Sequence, residues 1–446
     1  MRSQCSEKLN KVIDALNVQG ATVYFVGGCV RDWLMGHPCV DFDLEIFGIE
    51  DEKLVEVLKQ FGPVDYFGKQ FGIYKLLTIP EADFALPRKE KKIDHGHQGF
   101  DITTNPYLSV KEAALRRDFT MNALYYNTKT NTYEDYYGGL DDLKHRLMRV
   151  VNPSTFIEDP LRVLRLAQFI SRFELEVDKQ TKQLCHQMVL NGDLESLSKE
   201  RVFNEYNKML LGKKPSLGIS FLYEIEALPK ELQILGEVHQ RPDYHPEGCV
   251  LNHVKMVVDH GAMVKEKTSY PLGFMWSCLL HDIGKASTTD EFGHAYDHEI
   301  VGGDMCDEVL KKFCNHKKLM KYTKQMIYSH MKLGQYARSG VKDKTFLKLL
   351  AQLHGKTTLN DLYYLTEADM NIRKEGLEKV QNFLKEKVER LGYEAPTPVV
   401  QGNDLIDLGY EPGPKIKELL EVAYDMQLGG YKRKAILKML GKGDVK

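Results

Sequence analysis

Short apolar runs alternate with polar turns in the first third of the chain. The runs ATVYFVGG, VDFDLEIF, IYKLLTI, ADFALPR and ALYYN all fall within residues 21–150. Runs of this length between glycine-containing turns are typical of buried strands, so this part predicts an α/β sheet unit. From about Pro153 onward the apolar residues recur at three- and four-residue spacing, which predicts an all-α body. The predicted fold class is therefore α+β, with an N-terminal mixed α/β head followed by a helical body.

Stretches that contain proline and glycine mark possible subdivisions of that body. They are LLGKKPSLG, HQRPDYHPEG and LGYEAPTPVVQGND. The sequence predicts four regions, over residues 1–150, 151–240, 241–390 and 391–446. The chain of 446 residues supports more than one domain, since single cores stop growing near roughly 250–300 residues.

Composition and charge argue against several classes of protein, namely membrane-spanning, secreted, disulfide-rich and strongly basic proteins. No run approaches the roughly 18 apolar residues of a membrane span, and the N-terminus lacks a signal-peptide core, so we expect a cytoplasmic protein without membrane contact. The eight cysteines form no Cys-x-x-Cys pair, which favours reduced thiols over disulfides or structural zinc. The net charge is only −2, so any nucleic-acid-binding surface must be local.

The stretch VYFVGGCVRDWLMG predicts a strand, a glycine turn and a helix start. Gly27 and Gly28 in such a turn present backbone N–H groups and let a phosphate approach closely. Asp41 and Asp43 follow in a strand pattern, which places both carboxylates on one face, about 7 Å apart. These like charges repel unless a cation joins them, and Mg²⁺ is commonly held by carboxylates together with substrate phosphates. An exposed acidic strand edge is the alternative interpretation.

The segment EDPLR predicts a way of selecting nucleotide bases. Asp159 and Arg162 are three residues apart and share a helix face. An ionised Asp accepts hydrogen bonds and Arg donates them, which suits the amino group and ring nitrogen of cytosine and adenine. Uracil and guanine would leave unsatisfied groups, at about 1–3 kcal/mol each. The alternative is that Asp159 caps a helix whose first residue is Pro160.

The stretch RRDFT predicts a helix start that carries polar contacts. Arg116 and Arg117 suit phosphate groups because a guanidinium offers a fork of donors. Asp118 is either a helix cap or a sugar contact. The polar, glycine-containing run over residues 88–100 predicts a loop near the nucleotide site.

A second group of candidates lies in the helical body. His253, His281, Asp282 and Asp369 form an H…HD…D series on predicted helices, and imidazoles with carboxylates suit a divalent metal. His298 and His330 are candidate ligands of a second ion. The series resembles the HD phosphohydrolase superfamily, although a degenerate HD fold used only for packing or RNA docking is an alternative.

Several ordered motifs carry a wider resemblance. GGCVRDWLMG followed by DFDLE, RRDFTMNALYYN, IEDPLRVLRLAQF, ERVFNEYNKML and QGNDLIDLGYEPGPKIKELL resemble the bacterial class II tRNA nucleotidyltransferase and poly(A) polymerase superfamily. The resemblance implies a nucleotidyltransferase head, a base-selecting and RNA-binding region, an HD-type domain and a C-terminal tRNA-binding region. It implies addition of C and A to tRNA 3′ ends from CTP and ATP, with Mg²⁺ and release of pyrophosphate. It does not imply a protein partner.

The resemblance also implies site residues. Asp41 and Asp43 would be catalytic and bind the metal, with Asp83 as a candidate third carboxylate. The predicted nucleotide-binding residues are Gly27, Gly28, Arg31, Arg116, Asp118, Asp159, Arg162 and Arg165. The loop over residues 88–100 would help the site change from CTP to ATP.

Other functions remain open on the sequence alone. An enzyme that adds only CC or only A would carry the same motifs. A bacterial poly(A) polymerase shares the head, but the chain lacks a strongly basic C-terminal tail, and FGKQFGIYKLL lacks the more basic sequence of that branch after the corresponding glycine. An HD phosphohydrolase with a vestigial head and an inactive RNA-binding protein are the remaining alternatives.

Overall fold

The computed structural model describes residues 1–67, 72–92, 100–241, 243, 246–370 and 374–441. Part of the predicted loop, residues 93–99, lies outside the described residues. The chain forms two compact units, Met1–Tyr206 with Phe221–Ala227 and Asn207–Ser220 with Leu228–Lys446. The strands of the described chain belong to the first unit, and the described part of the second is helical, which confirms the predicted α+β class. The four predicted regions stay a prediction.

The strands of the described residues form one seven-stranded sheet and two small pairs. They are β1 (Thr22–Val26), β2 (Phe42–Phe47), β3 (Val64–Phe67), β4 (Ile73–Leu76), β5 (Ala82–Ala85), β6 (Arg88–Lys92), β7 (Phe100–Thr104), β8 (Tyr125–Asn127), β9 (Thr132–Glu134), β10 (Leu147–Met148) and β11 (Glu176–Val177). The large sheet has the order β3-β4-β5-β2-β1-β8-β9. Within it β2 and β5 run parallel, and the other neighbours are antiparallel.

Both faces of the large sheet are covered. Along β1, Val23 and Phe25 belong to one apolar core, whereas Tyr24 and Val26 belong to a second core. Successive side chains of a strand point to opposite faces, so the apolar run of β1 supplies both cores. A sheet buried on both faces explains why its strands read as nearly continuous apolar runs rather than as alternating patterns.

The helices with residues in the first unit are mostly short. They are α1 (Glu7–Val18), α2 (Gly28–Leu34), α3 (Asp51–Lys59), α4 (Val110–Ala114), α5 (Gly139–Lys144), α6 (Pro153–Phe156), α7 (Leu161–Phe173), α8 (Lys179–Leu190), α9 (Lys199–Leu210) and α10 (Pro215–Glu224). Helix α7 begins directly after Pro160 and ends where Glu174 adopts a left-handed conformation. Ten of its 13 residues are buried, so α7 is enclosed on nearly all sides rather than along a single apolar stripe.

The helices that lie wholly in the second unit cover most of its described length. They are α11 (Lys230–Gln233), α12 (Val250–Val264), α13 (Pro271–Leu280), α14 (Lys285–Thr288), α15 (His298–Phe313), α16 (Lys317–Ser329), α17 (Lys332–Ser339), α18 (Asp343–Leu353), α19 (Leu359–Met370), α20 (Lys374–Leu391), α21 (Gly402–Asp407), α22 (Pro414–Leu428) and α23 (Arg433–Leu440). Among the described residues, no helix is both long and apolar enough to cross a membrane. All eight cysteines lie in the described ranges and are free thiols, as predicted.

The described part of the predicted loop over residues 88–100 is not a loop, because residues 88–92 form β6, which pairs with β7 from Phe100 onward. Two further local features differ from the predicted elements. The stretch after RRDFT forms only the 3-10 turn Thr120–Asn122, because the Thr120 N–H bonds to the Arg149 carbonyl and the chain then enters β8. In the predicted helical body, β11 pairs with β10 in parallel. That strand is two residues long, too short for a sequence pattern to reveal.

Candidate nucleotide site and candidate metal centre

The turn between β1 and α2 requires glycine at one position. Gly27 has φ 68° and ψ −127°, a conformation that side chains other than glycine rarely adopt. A Cβ atom at Gly27 would lie 2.7 Å from Arg117 Nη1, so the guanidinium occupies the space that a side chain would need. At Gly28 a Cβ would meet only Arg31 Nη2, at 3.6 Å. The glycine pair therefore brings backbone and arginine together, as a phosphate site requires.

Three carboxylates meet on adjacent strands beside this turn. Asp41 and Asp43 are exposed at the start of β2, and Asp83 of β5 is the register partner of Asp43. Crowding by protein atoms and the nearby charges of Asp83 and Asp41 raise the pKa of Asp43, against the opposing charge of Arg117. Asp83 Oδ1 has an ion pair with Lys75 Nζ at 3.3 Å. Three carboxylates grouped in this way, with the ionisation of Asp43 disfavoured, fit a divalent cation such as Mg²⁺.

A buried glutamate holds the arginines of the site. Glu45, 1% exposed, lies 3.1 Å from Arg116 Nη2 and 3.4 Å from Arg117 Nη2, and Tyr125 donates its hydroxyl at 2.6 Å. Burial opposes ionisation, but the two arginines hold the pKa of Glu45 below its usual value. Sequence reasoning missed Glu45 as a site residue and named Arg117 only as part of a pair. A charged residue in the otherwise apolar run LEIF was the available signal.

Asp118 is a second buried anchor. Its Oδ2 lies 2.7 Å from Arg165 Nη2, and its Oδ1 accepts hydrogen bonds from the Phe119 N–H at 2.8 Å and from Asn122 Nδ2 at 3.0 Å. Burial works against its charge, but Arg165, the Asn122 hydrogen bond and the charge of Arg162 together lower the pKa of Asp118. The structure thus brings two predicted residues, Asp118 and Arg165, into direct contact. The cap position of the following turn belongs to Phe119.

Arg31 is bound by protein groups in this structure. It is 4% exposed, donates from Nη1 to Asn122 Oδ1 at 2.6 Å, and pairs with Asp32 Oδ1 at 2.7 Å. Its guanidinium also lies over the rings of Phe169 and Phe173, at 5.0 and 4.7 Å from their centroids. Arg31 therefore links α2 to α7, and its triphosphate contact stays a prediction.

Asp159 and Arg162 lie at the start of α7 but bind different partners. Arg162 donates from Nη1 to the Thr155 carbonyl at 2.8 Å and from Nη2 to the Arg116 carbonyl at 2.9 Å. Asp159 Oδ1 accepts from the Leu161 N–H at 3.2 Å, but the N-cap position of α7 belongs to Pro160, so Asp159 is not the predicted N-cap. The same carboxylate also pairs with Arg201 of α9. These contacts leave the base-reading interpretation of Asp159 open.

The second unit gathers the predicted HD residues into one buried cluster. His253 lies on α12, His281 and Asp282 directly follow α13, and Asp369 lies on α19. Donor atoms of His253, His281 and Asp369 lie within 4.8 Å of one another. Asp282, His298 and His330 form a second set within the same limit. The predicted ligands and the two additional histidines thus meet in space.

A hydrogen bond to Nδ1 orients each of the four histidine rings. His281 bonds to the Cys278 carbonyl at 3.0 Å, His298 to the Ala295 carbonyl at 2.8 Å, His330 to the Ile327 carbonyl at 2.7 Å and His253 to Glu247 Oε1 at 2.9 Å. These acceptors assign a proton to Nδ1 and turn every Nε2 towards the cluster. This is how metal-binding histidines are commonly held.

The Nε2 atoms face one another in a way that favours a cation. His298 Nε2 and His330 Nε2 are 3.3 Å apart, so one must carry a proton unless a metal ion is bound. His281 Nε2 is buried and forms no hydrogen bond within the described chain. Burial and the charge of His281 lower the pKa of His330 to about 3, which keeps that ring neutral. The donor set therefore fits a metal that binds neutral imidazole.

Asp282 connects the two sets of donors. Its Oδ2 lies 3.2 Å from His281 Nε2, whereas its Oδ1 lies 3.3 Å from His298 Nε2. His253 is the most basic group of the cluster: burial opposes its protonation, but hydrogen bonds to Asp369 and Glu247 raise its pKa to about 9. A cavity of about 170 Å³ is lined by Asp282, His298, Asp369 and Lys285, among others. This space would admit a small phosphate group beside the cluster.

Comparisons with known proteins identify the family to which the chain belongs. Residues 23–149 match the family described as Poly A polymerase head domain, residues 174–230 match the Probable RNA and SrmB- binding site of polymerase A, and residues 250–377 match the HD domain. A multifunctional CCA protein of Aromatoleum aromaticum is 38% identical over 65% of this chain and 70% of its own length. One of Stenotrophomonas maltophilia is 32% identical over 90% of this chain and 97% of its own. The chain belongs to the CCA-adding tRNA nucleotidyltransferase family.

Solved structures agree with this family in fold. A Thermotoga maritima CCA-adding enzyme in complex with tRNA has a TM-score of 0.61 at 21% identity, over 98% of this chain and 96% of its own. A CCA-adding enzyme in complex with ATP has a TM-score of 0.63, over 98% and 93%. The resemblance predicted from the motifs is thereby confirmed. In this member of the CCA-adding family, the individual site residues stay predictions.

Proposed function

We propose that the chain adds C and A, without a nucleic-acid template, to the 3′ ends of tRNA from CTP and ATP and releases pyrophosphate. The observation that carries the proposal is the carboxylate cluster of β2 and β5 beside the turn where Arg117 packs on Gly27. Carboxylates next to a glycine turn and buried arginines form a site for a metal-bound triphosphate. The chain acts in the cytoplasm, and no protein partner is implied.

Each group of residues has a proposed role. Asp41, Asp43 and Asp83 would hold Mg²⁺, which when bound polarises the α-phosphate and neutralises the leaving pyrophosphate. The Gly27 turn and Arg117 would bind the triphosphate, because a guanidinium fork matches phosphate oxygens. Glu45 and Tyr125 keep Arg117 in place through the contacts described above. The terminal ribose hydroxyl of the tRNA would then attack the α-phosphate.

Base choice is assigned to the start of α7. Asp159 would accept hydrogen bonds from the amino group of cytosine or adenine, and Arg162 would donate to the unprotonated ring nitrogen. Arg162 donates to two backbone carbonyls, so reading a base would require it to exchange at least one of these partners. Asp118, held by Arg165, would orient the ribose.

Incorporation of single labelled nucleotides tests the proposal. The substrates are tRNA ending before CCA, after C and after CC, with an unstructured oligonucleotide for comparison. Addition of two C and one A followed by a stop supports the proposal. C-only or A-only addition would identify a partial enzyme, and long A tails on any RNA would identify a poly(A) polymerase. The double variant Asp41→Asn with Asp43→Asn is the inactive control.

We propose a metal-dependent phosphohydrolase activity as a second function, because of the two donor sets that share Asp282. Lys285 Nζ lies 2.8 Å from Asp282 Oδ2 and lines the same cavity, where its charge would attract a phosphate. The test is hydrolysis of p-nitrophenyl phosphate and of bis-p-nitrophenyl phosphate with Ni²⁺, Co²⁺ or Mn²⁺. Activity that disappears in Asp282→Asn supports the second function, and no activity with any metal argues for a packing or RNA-docking role.

A further inference from the structure

The carboxylate proposed to read the base is held by an arginine from a different helix. Arg201 Nη2 of α9 lies 3.1 Å from both Asp159 oxygens. The Leu161 N–H adds a third contact, to Oδ1 at 3.2 Å. An arginine that touches both oxygens restricts rotation of the carboxylate about its last side-chain bond. Asp159 is therefore fixed before any nucleotide binds.

Arg201 itself has a defined position. Its backbone N–H donates to Ser198 Oγ at 3.4 Å, and the Val202 N–H bonds to the Ser198 carbonyl at 3.1 Å, which fixes the first turn of α9. The side chains of Arg201 and Asp159 are only 21% and 25% exposed. Ion pairs with this degree of burial are screened less by solvent than exposed pairs. The contact thus has a geometric basis in both helices.

The neighbouring arginine does not replace this contact. Arg162, the second proposed base-reading residue, directs its two Nη atoms to the Thr155 and Arg116 carbonyls. The Asp159 carboxylate is thus oriented by Arg201, which lies 42 residues away in the sequence.

We propose that Arg201 is a positioning residue for nucleotide selection. Arg201 orients Asp159 so that its remaining acceptor site, on Oδ2, accepts a hydrogen bond from the amino group of cytosine or adenine. A carboxylate has about four acceptor sites, and Arg201 and the Leu161 N–H occupy only part of them. This inference rests on the proposed nucleotide addition and names a further residue on which its specificity depends.

The same geometry predicts which wrong nucleotides would be incorporated when Arg201 is replaced. Without this arginine the Asp159 carboxylate would be free to rotate away from the base. Arg162 would then be the proposed base-selecting residue that still forms hydrogen bonds with the base. Arginine only donates hydrogen bonds, so it favours the carbonyl oxygens of uracil and guanine. Removal of Arg201 should therefore admit UTP in place of CTP and GTP in place of ATP, rather than slow all nucleotides equally.

The experiment measures kcat/KM for each nucleotide on the full chain. CTP and UTP are compared on tRNA ending before CCA, and ATP and GTP on tRNA ending after CC. In Arg201→Ala we expect kcat/KM for UTP relative to CTP, and for GTP relative to ATP, to rise by about 10-fold or more. This is the effect expected when one hydrogen bond no longer distinguishes the bases. Arg201→Lys should restore part of the selectivity, because it keeps the charge but not the planar fork.

Arg149→Ala is the matched control. Arg149 also bridges carboxylates of the first unit, Asp142 and Asp178, each at 3.2 Å, but it does not contact Asp159 in the described structure. Its nucleotide ratios should equal those of the wild type. Circular dichroism and thermal unfolding compare the folding of each variant, and Arg201→Lys and Arg201→Gln decide the question should Arg201→Ala fail to fold.

Two results would overturn the inference. Unchanged nucleotide ratios in folded Arg201 variants would show that Asp159 does not depend on Arg201, and an equal loss for all four nucleotides would indicate a structural role only. Failure of the proposed function is a separate result, because it would be seen as a wild-type protein that adds neither C nor A.

Discussion

Asp43 of β2 and Asp83 of β5 lie directly opposite each other in the parallel strand pair of the large sheet. Neighbouring strands are about 4.8 Å apart, so the two carboxylates are close enough to share a cation. The raised pKa of Asp43 reflects crowding by protein atoms and then the charge of Asp83 among its neighbours. A bound divalent ion would remove this unfavourable interaction.

Loss of either carboxylate should impair nucleotide addition, but the two losses should change different kinetic quantities. We expect Asp43→Asn to lower kcat by about 1,000-fold or more, because a metal ion supplies several kcal/mol of transition-state stabilisation. Asp83→Asn should mainly raise the Mg²⁺ concentration needed for half-maximal activity. Titration of Mg²⁺ in the single-nucleotide assay measures both effects.

Asp65→Asn is the control for these variants. Asp65 is an exposed carboxylate on β3, at the edge of the same sheet. It should leave the Mg²⁺ dependence unchanged. Full activity of Asp43→Asn at the usual Mg²⁺ concentration would remove Asp43 from the metal site, and an unchanged Mg²⁺ dependence in Asp83→Asn would remove Asp83.

Gly27→Ala should impair triphosphate binding beyond its effect on stability. The backbone conformation of Gly27 costs a non-glycine residue about 1–3 kcal/mol. The new Cβ would also lie only 2.7 Å from Arg117 Nη1, so the guanidinium would have to move. We expect a higher KM for CTP together with a lower free energy of unfolding. Steady-state kinetics and urea unfolding measure the two quantities.

Gly36→Ala provides the comparison for backbone strain alone. Gly36 also has positive φ, 77°, but a Cβ there would meet no described atom within 4 Å. This variant should lose stability without a change in KM. A KM increase of equal size in both variants would indicate that the Arg117 contact at Gly27 has no specific role.

Replacement of Glu45 by Ala should destabilise the first unit strongly. The change leaves Arg116 and Arg117 without their buried partner, and breaking a buried ion pair from one side costs about 3–5 kcal/mol. Urea unfolding measures the loss, and Glu45→Asp should recover part of it. A loss below about 1 kcal/mol, the range of exposed pairs, would contradict the buried network.

The pH dependence of stability offers an independent readout of Glu45. Its pKa in the folded chain lies below the usual 4.5, so the ionised carboxylate stabilises the fold at pH values above 4.5. This contribution is lost as the pH falls from 4.5 through the lower folded-state pKa. Glu45→Gln should therefore lose less stability than the wild type over that acidic interval. Parallel acid-unfolding curves would contradict the assignment.

Residues that are close in the sequence were the ones that could be predicted. Gly27 and Gly28 are adjacent, Asp41 and Asp43 share one strand, and a local pattern therefore indicates their chemistry. The HD series was also predicted, because its chemical types occur in a characteristic order. The glycine and aspartate predictions need only a short run of residues and its periodicity, whereas the HD series spans residues 253–369 and was predicted from a resemblance.

The partners that orient those residues could not be predicted from local patterns. Arg201 of α9 meets Asp159 42 residues away in the sequence, and Glu45 of β2 meets Arg116, which follows α4. Carbonyl acceptors such as that of Cys278 carry no side-chain signal at all. Tertiary packing decides these contacts, so they emerge only from the folded chain.

The HD cluster should bind two divalent ions, with Asp282 between them. The Oδ2 atom of Asp282 lies near His281 and its Oδ1 near His298, so each ion would have its own imidazole ligands. We expect about two equivalents of Ni²⁺ or Mn²⁺ per chain by inductively coupled plasma mass spectrometry after dialysis, since the buried imidazole–carboxylate donors suit such metals.

Single substitutions should remove the ions selectively. Replacement of His298 or His330 by alanine should leave one equivalent, because the set formed by His253, His281 and Asp369 remains. Asp282→Asn should reduce both, since one carboxylate serves both sets. His294→Ala is the control, because that histidine lies outside both sets and its Nδ1 pairs with Asp290. One equivalent in the wild type that persists in His298→Ala would show that the second set binds no metal, and its close Nε2 pair would then be held by a proton.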